Sequence, residues 1–129
     1  MNATSKLEFI EDFKKRTKRF VVNNVLFFKE LPKSDEARIL GRQLLRSSSS
    51  VGANYRAACR GRSQAEFFSK ISIVVEEADE TLFWMEVMIE SGIVSEAKMR
   101  PLLDEAKEIL AVVAKARKSA SENIKRRVH

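Results

Sequence analysis

The chain has 129 residues, of which 44% are hydrophobic and 33% are charged, and its formal net charge is +6. A chain this apolar is not disordered, and one so densely charged has no stretch that could span a bilayer. Only four glycines and two prolines interrupt it, whereas a β-sandwich or barrel needs turn residues about every 8 to 12 positions. These proportions predict one all-α domain with no membrane partner.

The scarcity of histidine and cysteine excludes most kinds of catalytic site. His129 is the only histidine, so one chain cannot assemble a Ser-His-Asp triad or a two-histidine metal site. Cys59 has no second cysteine to pair with, and the common nucleotide-binding loop motifs are missing from the sequence. We therefore predict a protein that is not an enzyme and carries no metal or cofactor. The N-terminal segment contains acids and lacks the apolar core of a secretory signal, which predicts a cytoplasmic protein.

The first two helices follow from apolar residues that recur every three or four positions. The first helix is predicted over residues 5–31, before Pro32, with apolar positions Leu7, Ile10, Phe13, Val21, Val25 and Phe28. The second is predicted over residues 36–59, after the capping residues Ser34 and Asp35. Its apolar positions are Ala37, Leu40, Leu44, Val51, Tyr55 and Ala58.

The segment RSSSSVGAN, residues 46–54, places four serines and Gly52 inside the second helix. Such residues are poor helix formers, and a glycine costs up to about 1 kcal/mol relative to alanine. Small side chains also let a neighbouring helix approach closely. The segment predicts either a tight helix contact or a kink that presents backbone amides to an anion.

The last two helices are bounded by capping signals. Gly61 stops the second helix, and Ser63 with Glu66 forms a capping box for a third helix over residues 64–91. Gly92 supplies a left-handed C-cap, and Ser95 begins a fourth helix over residues 95–120. The tail, residues 121–129, is expected to fray. Four helices joined by short connections predict an antiparallel up-down-up-down four-helix bundle.

The third helix is apolar on more than one side. One stripe holds Phe67, Ile71, Val74, Ala78, Met85 and Ile89, and a second group extends around the helix through Phe68, Ile73, Val75, Trp84 and Val87. A helix of a lone bundle keeps one face in water, so the surplus apolar surface predicts burial against another subunit. The sequence therefore favours a homo-oligomer over a wide monomeric core.

Charge is segregated between the second and third helices. Residues 37–63 contain six arginines and no acid, whereas residues 64–97 contain eight acids and one lysine. The arginines are Arg38, Arg42, Arg46, Arg56, Arg60 and Arg62. They predict either ion pairs with the acids of the third helix or contacts with phosphate, since the guanidinium fork fits both groups.

A second group of cations lies in the first helix and near the C-terminus, with no acid run opposite it in sequence. Together with arginines of the second helix, it forms the predicted nucleic-acid-binding set; the alternative is a plain solvated surface. The set is Lys14, Lys15, Arg16, Lys18, Arg19, Arg42, Arg46, Arg56, Arg60, Arg62, Lys115, Arg117 and Lys118. In an oligomer this surface would be repeated, and its salt-dependent affinity for a polyanion would multiply.

Three further features have a structural interpretation that outweighs a functional one. The acids of the EEADE segment could hold a metal, but a di-iron bundle needs two Glu-x-x-His pairs, so these acids are expected to form salt bridges. Trp84 and Tyr55 are expected to pack in the core or an interface rather than stack on bases. Cys59 is expected to be an inert core residue.

The central stretch resembles a known bacterial family. The motif-bearing segments are RSSSSVGANYRAA, the turn RGRS, the run EEADE and the segment WMEVMIESG, which all lie within residues 46–92. Over about residues 30–95 the chain is similar to the four-helix-bundle proteins encoded within intervening sequences of 23S ribosomal RNA genes. The first and fourth helices match that family only in pattern.

The resemblance implies a left-handed bundle that assembles as a cyclic pentamer and has no established catalytic activity. The family is also similar in fold to the accessory protein of diversity-generating retroelements, a basic pentamer that partners a reverse transcriptase and binds nucleic acid. Residues that match the family pattern, and that are expected to bind a ligand or hold the pentamer together, are Arg42, Arg46, Ser47, Gly52, Asn54, Arg56, Arg60, Glu76, Glu77, Asp79, Glu80 and Trp84.

Two functional hypotheses follow. The leading one is a pentameric basic module that binds RNA or DNA, with RNA favoured. The alternative is a structural or protein-partner scaffold without affinity for nucleic acid. In both, an oligomeric or structural role is assigned to Gly52, Asn54, Glu76, Glu77, Asp79, Glu80 and Trp84.

Overall fold

Side-chain caps begin all four helices of the computed structural model, which describes residues 2–128. The helices are α1 (Ala3–Lys29), α2 (Asp35–Cys59), α3 (Gln64–Glu90) and α4 (Glu96–Val128), and the described residues contain no strand. The side chains of Ser34, Ser63 and Ser95 accept hydrogen bonds from the backbone N–H three residues later, at 3.1 to 3.3 Å. Gly92 adopts a φ of +79° after α3. The predicted all-α class and these caps are confirmed.

Three helix ends differ from the sequence prediction by two residues or more. α1 ends at Lys29 rather than at residue 31. α1 begins at Ala3, because Asn2 caps it by accepting a hydrogen bond from the Ser5 N–H at 2.8 Å. α4 continues to Val128, beyond the predicted end at residue 120. Ala120 is buried and Ile124 half-buried, so the helix keeps some packing along its last turns. Fraying of this tail in solution stays a prediction, and His129 lies outside the described residues.

The helices are arranged so that α1 and α3 lie on opposite sides of the bundle. Each helix packs against the next and α1 also contacts α4, whereas in the described residues the α1 and α3 backbones do not approach each other closely, and neither do those of α2 and α4. Gly41 lies against Phe28 and Leu31, whereas Gly52 lies against Thr17 and Val21. Residue numbers therefore fall along α1 as they rise along α2, so these two helices are antiparallel. The handedness of the bundle stays a prediction.

Phe13 of α1 is buried as predicted, but the rest of the buried stripe of α1 differs from the prediction. The stripe holds Phe13, Phe20 and Phe27 together with Thr17 and Asn24, whereas the predicted core residues Leu7 and Val25 are 64% and 39% exposed. Two polar residues lie in the buried stripe, so a pattern of apolar residues alone could not locate it. The predicted core of α2 is confirmed, with Leu40 only half-buried.

The buried polar residues satisfy most of their hydrogen bonds within the bundle. Thr81 Oγ1 of α3 donates to Ser47 Oγ of α2 at 3.0 Å, which joins the two helices at mid-length. Asn24 Nδ2 donates to the Phe20 carbonyl at 2.8 Å, while its Oδ1 has no hydrogen-bond partner in the described residues. None of the described helices combines the length and apolarity needed to cross a bilayer.

The segment RSSSSVGAN forms a tight helix contact, without a break in α2. α2 runs unbroken through it, and a Cβ placed on Gly52 would lie 2.6 Å from Val21 Cγ2 and 3.4 Å from the Thr17 carbonyl oxygen. A side chain at this position would therefore push α1 away from α2.

We expect Gly52→Leu to destabilise the fold by about 1–3 kcal/mol, the usual cost of forcing a larger side chain into a packed contact. The measurement is the midpoint of urea denaturation at a fixed protein concentration. Ala53→Leu is the matched control, because Ala53 is exposed on the same helix, and it should shift the free energy of unfolding by less than about 0.5 kcal/mol. Equal midpoints for the two variants would contradict the tight contact.

Candidate nucleic-acid interface

The arginines of α2 point to solvent because the opposite side of the helix forms part of the core. Arg42, Arg56 and Arg60 are exposed, while Leu44, Val51 and Tyr55 form the core side of the same helix. Arg42 and Arg60 are 18 residues apart, which is about five helical turns, so they project from the same side. Arg56 lies one turn before Arg60. The helix therefore presents these cations as one line along its outer surface.

Among the described residues, one arginine of α2 pairs with the acids of α3. Arg46 donates from Nη1 to Glu77 Oε2 at 3.1 Å and also pairs with Glu80. The indole Nε1 of Trp84 donates to Glu80 Oε2 at 3.1 Å. Arg46 is thus held by two carboxylates. Its predicted ion pairing with the third helix is observed.

The remaining arginines of this segment have other surroundings. Arg38 pairs within its own helix with Asp35 at 2.6 Å. Arg42, Arg56, Arg60 and Arg62 are exposed and form no ion pair with any of the described residues 2–128. We name these four the α2 arginine surface, although Arg62 lies in the turn after the helix. The acids of α3 do not neutralise this surface.

The predicted cations of α1 divide into paired and unpaired groups. Arg16 forms two hydrogen bonds of 2.7 Å with Glu105 of α4 and a 3.2 Å ion pair with Glu108. The Glu105 hydrogen bond, opposed by partial burial, raises the pKa of Arg16 above its ordinary value. Lys14 pairs with Glu11 at 2.9 Å. The sequence interpretation that no acid opposes this group is wrong for Arg16, because α4 brings Glu105 and Glu108 beside it.

The other cations of the predicted set are exposed. Lys15, Lys18 and Arg19 of α1 form no ion pair within the described residues, and neither do Lys115 and Lys118 of α4. The Arg117 guanidinium lies 5.8 Å from the centre of the Phe68 ring, which is a cation–π distance. The cations are thus spread over three helices rather than gathered in one patch.

The residues assigned to structure or assembly fall into two groups. Gly52 permits the α1 contact, Asn54 Nδ2 donates to the Ser50 carbonyl at 3.0 Å, and Trp84 packs edge-on against Phe83 at 5.0 Å. Glu76 and Asp79, by contrast, are exposed, and they form no ion pair with the described part of the chain. No three His, Cys, Asp or Glu side chains among the described residues are grouped so that they could hold a metal ion.

The sequence did not reveal a cavity of about 590 Å³ at the end of the bundle where α2 turns into α3. Tyr55, Cys59 and Phe67 lie in its wall, and the described residues that line it include cations but no carboxylate. Burial raises the pKa of the Cys59 thiol, so the thiol stays protonated near neutral pH. This agrees with an inert cysteine. The cavity forms where helices far apart in sequence meet, so no local sequence signal marks it.

Comparison with known proteins gives the chain a family. The model of the 23S rRNA-intervening sequence protein family matches residues 11–123. The chain belongs to this family.

One solved relative supports the assignment, a protein of unknown function of the S23 ribosomal protein family from Bacteroides thetaiotaomicron. It is 30% identical, its alignment covers 81% of the present chain and 97% of that chain, and the TM-score is 0.76. No curated protein matches the chain. Neither the family nor this relative has an established function, so the function of this chain must be inferred from its own surface.

Because Arg16 is bound by two carboxylates of α4, we expect it to stabilise the fold. A double-mutant cycle of Arg16→Gln and Glu105→Gln should give a coupling energy of about 0.5–1 kcal/mol, since the pair is bidentate but partly exposed. Urea denaturation measures it. The single-bonded and more exposed pair Lys14–Glu11 is the control, and it should give less than about 0.5 kcal/mol. Equal coupling energies in the two cycles would contradict a stronger Arg16–Glu105 pair, and Arg16 would then be as available to a phosphate as Lys14 is.

Proposed function

We propose that this protein is a non-enzymatic, cytoplasmic, homo-oligomeric basic module, pentameric by family resemblance, that binds nucleic acid and favours RNA. The observation that carries the proposal is the α2 arginine surface. Its four guanidinium groups are exposed and unpaired in the described chain, although α3 supplies acids beside the same helix. Had those acids neutralised the arginines, a scaffold function would be favoured instead.

The geometry of the α2 arginine surface suits a phosphate backbone. Arg42 and Arg60 lie about 27 Å apart along one side of a straight helix, at 1.5 Å per residue. Between them the same face carries small residues, the half-buried Ser49 and the exposed Ala53, so a nucleic-acid strand can approach the helix closely. One guanidinium group can donate hydrogen bonds to two oxygens of a phosphate at once. This arrangement favours contact with the backbone over selection of a base sequence.

The choice of RNA rests on the family. The family description names intervening sequences of 23S rRNA, so structured ribosomal RNA is the natural first probe. A fold-level similarity to a nucleic-acid-binding pentamer points the same way. Duplex DNA of equal length is the comparison probe, because phosphate contacts alone do not separate RNA from DNA.

We expect the protein to retain a structured 23S rRNA fragment in a gel-shift titration, with an affinity that falls steeply from low to physiological salt. The triple variant R42A/R56A/R60A should weaken binding at low salt and reduce the slope of log K against log salt by about 2 to 3. Fluorescence anisotropy at several salt concentrations gives both values.

The matched control is K98A/R100A/K107A, which removes three cations from the first half of α4. That half also carries Glu96, Asp104, Glu105 and Glu108, so it is not a basic surface. The control should leave the salt slope nearly unchanged. If the wild-type protein gives no shift at low salt, nucleic-acid binding fails, and a stable assembly that captures a protein partner would support the scaffold alternative.

The homo-oligomer is supported by apolar side chains that the bundle leaves exposed. Phe83 of α3 is 54% exposed, and Ile73 of the same helix is also exposed. α1 also exposes Val22, Val25 and Leu26. The exposed apolar surface is therefore not confined to the third helix, on which the sequence prediction was based. Surface of this kind on a small domain marks a contact with another protein surface.

We expect sedimentation velocity at micromolar concentration to show one discrete species larger than the 14.7 kDa chain, with five copies as the family resemblance implies. The physical reason is that the exposed apolar side chains of α1 and α3 are removed from water only by another subunit. A well-folded single subunit at these concentrations would contradict the assembly.

A further inference from the structure

α1 has an outer face that is apolar in the middle and basic on both sides along the helix. Val22, Val25 and Leu26 are exposed at helical spacing. The cations that share their face are Lys15, Lys18, Arg19 and Lys29, all exposed and without an ion pair in the described residues. Between residues 15 and 29 this helix has five cations and no acid. We call this surface the α1 outer face.

α3 has the complementary outer face. Phe83 and Ile73 are exposed and Val87 is half-buried. The acids that share their face are Glu76, Asp79, Glu86 and Glu90, all exposed and unpaired within residues 2–128. Between residues 73 and 90 this helix has six acids and no cation. We call this surface the α3 outer face.

The two outer faces lie on opposite sides of one chain, because the α1 and α3 backbones do not approach each other closely in the described residues and their buried stripes both point inward. They cannot meet within a subunit. A two-fold dimer through either face alone would place that face against its own copy. Like charges would then be opposed, so such a dimer is disfavoured.

The two faces lie at the same height along the bundle. Ser47 of α2 is hydrogen-bonded to Thr81 of α3. Along α2, Ser47 lies midway between Gly41, which contacts residues 28 and 31, and Gly52, which contacts residues 17 and 21. Thr81 is therefore level with about residue 24 of α1. Phe83 is two residues from Thr81, about 3 Å along the axis, so it is level with the apolar group around Val25.

The charges also match in height. α1 is antiparallel to α2, as the contacts of Gly41 and Gly52 show. α3 is also antiparallel to α2, because Ser47 contacts Thr81 whereas the later residue Ala58 lines the same cavity as the earlier residue Phe67. Both helices thus run the same way. Lys18 and Arg19 then lie near the level of Glu76 and Asp79, and Lys29 lies near that of Glu86.

We infer that the α1 outer face of one copy packs on the α3 outer face of the next copy, in a head-to-tail contact between identical chains. The inference rests on the proposed homo-oligomer and names its interface. A head-to-tail contact closes into a ring only when successive copies are not displaced along the axis. The equal height of the two faces meets that condition and favours a closed ring over a filament.

The test uses full-length variants that each disable one face without changing charge. V22Q/L26Q disables the α1 outer face, and I73Q/F83Q disables the α3 outer face; all four side chains are exposed. Each variant alone should require on the order of tenfold or more protein for half-assembly in sedimentation velocity. An equimolar mixture should form a one-to-one dimer, because it contains one intact α1 outer face and one intact α3 outer face.

L7Q/I39Q is the matched control. It also replaces two exposed apolar side chains, of which Leu7 is about 22 Å from Val22 along α1 and Ile39 is on α2. This variant should assemble as the wild type does. Far-ultraviolet circular dichroism and thermal melting show whether each variant keeps its fold, and a variant that does not is replaced by the single substitution L26Q or F83Q.

Charge reversal provides an independent arm. K18E/R19E and E76K/D79K should each weaken assembly, and the chain that carries all four substitutions should recover it, because its faces are complementary again. Homodimers formed by a single-face variant would overturn the head-to-tail contact. So would full assembly of V22Q/L26Q alone, or of I73Q/F83Q alone, at the concentrations at which the wild type assembles. A monomeric wild type would instead remove the oligomer itself, while RNA retention by that monomer would leave the nucleic-acid proposal intact.

Discussion

The close contact between α1 and α2 at Gly41 and Gly52 is the constraint on which the rest of the structure depends. At both positions a Cβ would lie 2.6 Å from a side-chain carbon of α1 or the turn that follows it, closer than van der Waals contact allows. The two glycines therefore fix how near the helices lie and which residues of α1 face inward. Once Phe13, Phe20 and Phe27 are committed to the core, the neighbouring stripe of Val22, Val25 and Leu26 has to face outward.

The seam between α2 and α3 divides the acids of α3 into two groups with different surroundings. Glu77 and Glu80 turn toward α2 and bind Arg46, whereas Glu76 and Asp79 turn away from it. Successive residues of a helix are rotated by about 100°, so neighbours in sequence belong to different faces. The excess of arginine on α2 is consequently not cancelled by the excess of acid on α3, although a simple count of charges indicates that it could be.

Local signals predicted the helix boundaries well because capping is local. The serine caps and Gly92 each act within a few residues, so their chemistry can be recognised in the sequence. The inward face of α1 could not be predicted in this way, because Thr17 and Asn24 occupy core positions. The continuation of α4 past Ala120 was also missed, since alanine and isoleucine four residues apart are a weak signal beside a strongly charged tail.

The candidate site was harder to predict than the fold, since it depends on which side chains meet between helices. Arg42 and Arg46 are one turn apart on the same helix and look equivalent in sequence. The offset between α2 and α3 decides that Arg46 reaches two carboxylates and that Arg42 reaches none within residues 2–128. In the same way, Arg16 is paired only because α4 passes α1 with Glu105 and Glu108 at its level. Offsets of this kind are set by core packing and leave no local trace.

The proposed subunit contact and the proposed RNA contact draw on different cations, and this separation has a consequence. Lys15, Lys18 and Arg19 belong to the α1 outer face, so in an assembly they are opposed by the acids of the next copy and are lost to RNA. The α2 arginine surface lies on neither outer face and remains open. Assembly would also bind the acids Glu76 and Asp79 to those cations, which removes a source of repulsion for phosphate. RNA affinity would then rise with assembly, and by thermodynamic linkage RNA would stabilise the assembly by the same factor.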